Sequence, residues 1–156
     1  MERIAIVTDT VASIPEAILE KYNIHTVPYY IHRGKETLRD LVTITCEAFY
    51  SWLPTATELP KTASPGPGDY FEEYQRLIQQ EGVNAIISIH MSSKGSGAYQ
   101  AALCGKEMIE EQHPDLKIRV IDTLNVAMCT GWIALESARA ALGGVSFEAI
   151  LERIHQ

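Results

Sequence analysis

The chain has 156 residues, 46% apolar and 21% charged, a composition that suits one globular domain and excludes a disordered polypeptide. Its formal net charge of −7 argues against a nucleic-acid binder, which needs clustered Lys and Arg to displace counterions, and against attraction to an anionic membrane surface. No apolar run approaches the ~20 residues of a membrane span, and the strand-like run starting at Ile4 leaves no room for a signal sequence.

Short β-rich apolar runs alternate with longer segments of helical period, the pattern of βα units around a parallel sheet. Residues 4–7 form the first expected strand, and a helix follows from Pro15, with Ala17, Ile18, Leu19 and Tyr22 as its apolar positions. Residues 24–31 read as a second strand, with Pro28 at an edge or bulge because it lacks an N–H. Residues 33–45 are polar and read as a loop, residues 46–53 as a short helix, and residues 60–69 as a turn-rich stretch. A helix over 67–80 places Tyr70, Phe71, Tyr74, Leu77 and Ile78 on one face. A buried strand at 85–89, a helix over 99–111, a strand at 118–121 and a long helix over 126–142 follow, the last stopped by Gly143-Gly144. Ser146 reads as the N-cap of one more helix. Cys46, Cys104 and Cys129 lack C-x-x-C spacing and sit in apolar stretches, so they are expected to be buried free thiols in a reducing, cytoplasmic setting. The expected fold is therefore α/β, a mainly parallel sheet with helices on both faces.

In such sheets ligands lie beyond the carboxyl ends of the strands. There stand Thr8-Asp9-Thr10, Ser92-Ser93-Lys94-Gly95-Ser96-Gly97 and Asp122-Thr123-Leu124-Asn125, and the Thr62-Ala63-Ser64 loop opens a helix as well. Free N–H groups and the dipole at helix starts favour a carboxylate or phosphate, and hydroxyls add neutral donors. The alternative reading of these residues is N-caps and turn formers. Gly95-Ser96-Gly97-Ala98-Tyr99-Gln100 misses the dinucleotide fingerprint at its third glycine. No phosphate loop or nucleophile elbow is present, and the five histidines show no metal spacing. His90 reads as a satisfied structural histidine, and Tyr29, Tyr30, Phe49, Tyr50 and Trp52 as core aromatics.

The residues Ile4-Ala-Ile-Val-Thr-Asp-Thr10, Tyr22-Asn-Ile24 with Val27-Pro28, Pro60-Lys-Thr62 with Pro65, the Ser92 to Gly97 loop with Tyr99-Gln100, and Val120-Ile-Asp122 with Met128 occur in order. Together they resemble the N-terminal domain of the DegV family of fatty-acid-binding proteins. The resemblance implies a two-domain α/β protein enclosing a long-chain fatty acid, with no cofactor, that acts as a carrier and presents the acid to a fatty-acid kinase. It implies that Thr62 and Ser93 hold the carboxylate, with Ser92, Ser64 and Ser96 as neighbouring hydroxyls. It also implies that this chain stops short of a second domain. The chain departs from the family pattern at Thr10-Val11, at Ala63-Ser64, at Gly95 where a bulky apolar residue is common, and at Ala98 where threonine is common. Two other readings remain open: an enzyme of acyl or phosphoryl transfer on a small anion using Ser93 or Lys94, and a pure interaction domain.

Overall fold

The computed structural model describes residues 2–154. Four strands, β1 (Ile4–Asp9), β2 (Ile24–Val27), β6 (Ala85–His90) and β7 (Lys117–Asp122), form a wholly parallel sheet in the order β2-β1-β6-β7. A second, antiparallel sheet is built from β3 (Tyr30–Arg33), β4 (Glu36–Arg39) and β5 (Lys61–Ala63) in the order β4-β3-β5. The helices are α1 (Glu16–Tyr22), α2 (Cys46–Trp52), α3 (Pro67–Glu81), α4 (Ala98–Gln112), α5 (Met128–Leu142) and α6 (Phe147–Ile154).

Because strand side chains alternate between faces, β1 feeds two cores. Ile6 joins Ile87, Ile89, Leu135 and Ile150 beneath α5 and α6. Ala5 and Val7 join Tyr74, Leu77, Ile86 and Ile109 beneath α3 and α4. Both faces of the parallel sheet are thus covered, which is why β1 and β6 read as nearly unbroken apolar runs. Two glycines permit the closest approaches. A Cβ at Gly131 of α5 would lie 2.5 Å from the Ala12 carbonyl, and one at Gly105 of α4 would lie 2.8 Å from Tyr70 Cβ and 3.0 Å from the Pro67 carbonyl.

Three expectations are corrected. Residues 24–31 are two strands, not one: Pro28 cannot donate to a ladder, the chain breaks there, and β3 leaves for the second sheet. Residues 33–45 are not all loop, since β4 forms a hairpin with β3 through a turn with φ +59° at Gly34, the positive φ that tight hairpins need. The cysteines are not buried: Cys46 and Cys129 are exposed and Cys104 is half-buried, because Cys104 falls between the buried positions of α4, Cys129 precedes those of α5, and Cys46 opens α2, none of whose residues is buried. The short β5 lies within the turn-rich stretch. Ser146 does cap α6, its Oγ accepting from the Ala149 N–H at 3.4 Å. Among the described residues no helix is long and apolar enough to cross a membrane.

Candidate ligand-binding cleft

The strand order reverses direction between β1 and β6, so the segments leaving these two strands diverge and leave a crevice at their carboxyl ends. A cleft of about 1090 Å³ opens there. Thr10 and Val11 after β1, Met91 and Ser96 after β6, Ile31 of β3, and Phe49 and Tyr50 of α2 all contribute to its wall. The second sheet with α2 and the end of the parallel sheet thus meet to form its wall.

Three of the five expected hydroxyl residues meet in this cleft: Thr62, Ser64 and Ser96. Thr62 sits on β5 opposite Ile31, and Ser64 follows directly. The two hydroxyl loops abut, since a Cβ at Gly97 would lie 3.4 Å from Ser64 Oγ. Ser96 Oγ accepts from the Ala98 N–H at 3.2 Å and lies 2.6 Å from the Tyr29 hydroxyl. Ser92 and Ser93 are not among the cleft-lining residues. Ser92 is buried, its Oγ accepting from the Lys94 N–H at 3.3 Å. Ser93 is exposed and its N–H donates to Asp122 Oδ1 at 3.2 Å. Burial pushes the Asp122 carboxyl up, but hydrogen bonds from Ser93 and Leu124 outweigh it and hold the group below its usual range. Lys94 is exposed and lies outside the lining.

Tyr29, expected in the core, is buried and also lines the cleft, while Phe49 and Tyr50 line it from α2, with Tyr50 66% exposed. The core expectation holds for Tyr29, which packs with Met91 and Ala98, whereas Phe49 and Tyr50 line the cleft, since a cleft wall and a core wall carry the same residue types. Behind the floor lies a buried hydrogen-bonded chain that the sequence pattern alone did not reveal. The Tyr74 hydroxyl donates to Ser88 Oγ at 2.7 Å, Ser88 Oγ lies 2.7 Å from His90 Nε2, and His90 Nδ1 lies 3.0 Å from Asp9 Oδ2. Asp9 Oδ1 then accepts from the Val11 N–H at 3.1 Å and caps the turn over Thr10–Ala12. The order Ser–His–Asp is that of a nucleophilic triad. Here Ser88, His90 and Asp9 are all 0% exposed, so the chain braces the turn that leaves β1 instead of meeting a substrate. The signal was Ser88 and His90 at i and i+2 on one strand face, and it has meaning only once β1 is known to lie beside β6.

The lining also includes Glu16, Asp40 and Glu47 and, among the described residues, no Lys, Arg or His. No group of three His, Cys, Asp or Glu among the described residues is arranged to hold a metal ion.

Comparison with known proteins agrees with this architecture. The model of the DegV family, described as uncharacterised proteins, matches residues 3–156. A DegV domain-containing protein of Caldanaerobacter subterraneus subsp. tengcongensis is 33% identical over 156 residues, covering 100% of this chain and 53% of its own length. One from Clostridium perfringens is 34% identical over 154 residues, covering 99% of this chain and 53% of its own. The chain therefore spans about half the length of the curated relatives it matches. Among solved structures, DegV of Bacillus subtilis, described as a fatty acid binding protein, superposes with a TM-score of 0.87 at 29% identity, over 99% of this chain and 53% of that one. A DegV family protein of Thermus thermophilus, described by its fatty acid binding, gives 0.84 at 25% identity, over 98% of this chain and 52% of that one.

Proposed function

The chain belongs to the DegV family, and on that premise we propose that it forms one wall of a binding site for a long-chain fatty acid, with the carboxylate held by Thr62, Ser64 and Ser96. The observation that carries this reading is the single cleft in which an apolar wall, including Ile31, Phe49 and Met91, runs to three hydroxyl side chains on two abutting loops. The apolar wall suits a methylene chain and the hydroxyls suit an acceptor-only head-group. The descriptions of the Bacillus subtilis and Thermus thermophilus structures as fatty acid binding support it.

The opposite wall would come from a second domain, in keeping with the share of the relatives' length that this chain spans and with the exposure of Tyr50 and Leu41 at the rim. Burial of a sixteen-carbon tail is worth roughly 11 kcal/mol if complete. One wall would realise only part of that, against an association cost of several kcal/mol. The proposed role is carriage, with presentation of the bound acid to a fatty-acid kinase, and not catalysis. Ser93 and Lys94 stand outside the cleft lining, and the Ser88 hydroxyl is sealed from solvent.

The test is denaturing extraction and mass spectrometry of the purified protein, followed by titration with a fluorescent fatty acid. An acyl chain should co-purify, and Thr62→Ala and Ser96→Ala should each weaken binding by ~10–100-fold, the loss of one hydrogen bond to a charged group. A protein without bound lipid, with equal affinities for wild type and both variants, would remove the reading.

A further inference from the structure

We propose that Tyr29 is a positioning residue of the head-group site: its hydroxyl donates to Ser96 and so directs the serine's own proton at the ligand carboxylate. The inference rests on the fatty-acid reading above, and it follows from counting hydrogens. A serine hydroxyl has one proton to give and two positions at which to accept. Ser96 Oγ already accepts from the Ala98 N–H at 3.2 Å. The Tyr29 hydroxyl, 2.6 Å away, takes either the second accepting position or the proton itself. If Ser96 gives its proton to Tyr29, it has none for a ligand. A carboxylate accepts and cannot donate, so its arrival selects the other direction, Tyr29 to Ser96 to carboxylate, and each bond in such a series polarises the next.

Tyr29 is held for this task. Its side chain is 8% exposed and packs with Met91, Ala98 and Val11, and its N–H donates to Thr10 Oγ1 at 3.2 Å. Burial pushes its phenol up to about 12, so the proton is retained throughout the neutral range. Thr10 in turn belongs to the turn capped by Asp9, so the buried His90–Asp9 pair reaches the head-group through Tyr29.

The series predicts selectivity between ligands of equal tail. An alcohol head-group both donates and accepts, so it tolerates either direction of the Tyr29–Ser96 bond, whereas an acid tolerates one. The full chain and its Tyr29→Phe, Ser96→Ala and doubly substituted forms should be titrated with palmitic acid and with hexadecanol. Phenylalanine keeps the buried ring and removes only the hydroxyl. Tyr29→Phe should weaken acid binding about tenfold and alcohol binding by less than about twofold. In the Ser96→Ala background it should have no further effect on the acid. The proposal is overturned if Ser96→Ala weakens acid binding while Tyr29→Phe leaves it unchanged, if acid and alcohol lose affinity equally, or if the two substitutions add. A Ser96→Ala protein that binds acid as wild type does removes the head-group reading, and this proposal with it.

Discussion

His90 and Asp9 face each other across the junction of β6 and β1, with Nδ1 3.0 Å from Oδ2 and neither side chain reaching solvent. With Nδ1–H donating to the carboxylate, Nε2 is free to accept from Ser88, which accepts from Tyr74. Every donor in the sequence Tyr74, Ser88, His90 then has one acceptor, ending at Asp9. Replacement of His90 by leucine keeps the volume roughly but leaves a buried carboxylate oxygen and a buried hydroxyl proton unpartnered. His90→Leu is expected to lose about 3 kcal/mol of folding stability, read as a lowered urea midpoint at unchanged slope. A loss under about 0.5 kcal/mol would mean that the pair contributes nothing to the fold.

Cys46 offers a direct probe of the cleft. It is exposed and belongs to the lining, whereas Cys129 is exposed and does not. A saturating fatty acid should slow maleimide modification of Cys46 by about tenfold or more while leaving Cys129 unaffected, because burial under a ligand removes access in proportion to occupancy. Peptide mapping after timed labelling checks this. Equal protection of both thiols, or of neither, would place the lipid elsewhere.

The raised phenol of Tyr29 gives a pH dependence of defined sign. Burial lifts it from the ordinary 10.0 to about 12 in the folded protein. The folded state therefore prefers the protonated phenol, and the stability this brings is fully present below pH 10 and is lost as the pH rises toward 12. Tyr70 and Tyr74 are shifted upward as well and add to the alkaline fall. Comparison with Tyr29→Phe isolates one contribution: wild type should lose more stability than the variant between pH 9 and about pH 11.5 in parallel denaturant titrations. Parallel profiles would show that the phenol titrates freely in the folded protein.

The parallel sheet and its helices were legible in the sequence because β1 and β6 are covered on both faces and so appear as apolar runs, while the helices between them keep the 3.6-residue period. The second sheet was not. Glu36, Thr37 and Arg39 of β4 are exposed, so no apolar alternation marks the strand, and β5 has three residues set among prolines and glycines. Pro28 was recognised as unfit for a central strand, yet that it sends the chain into another sheet is a tertiary fact. In the site, the hydroxyl-rich loops could be named from their place after strands and before helices. Which hydroxyls point inward could not: Ser93 and Ser96 are three residues apart in one loop, and only the path of that loop turns Ser96 toward Tyr29 and Ser93 toward Asp122. Tyr29 itself looks like any core aromatic until the cavity beside it is seen.

The contact at Gly105 bears on how the cleft behaves before anything enters it. Thr62 and Ser64 lead into the start of α3, Ser96 leads into α4, and backbone and side-chain atoms of Pro67 and Tyr70 rest directly on the bare Cα of Gly105. With no side chain between them, the two helices pack closely, and the loops that carry the hydroxyls start from that packed pair. If the pair holds its place, a head-group would not have to order the protein around it, and the loss of freedom on binding would fall mainly on the flexible tail. On the proposed reading, the polar end would be recognised by this closely packed pair of loops, and adaptation to different tails would fall to Leu41, Phe49 and Tyr50 of the cleft lining.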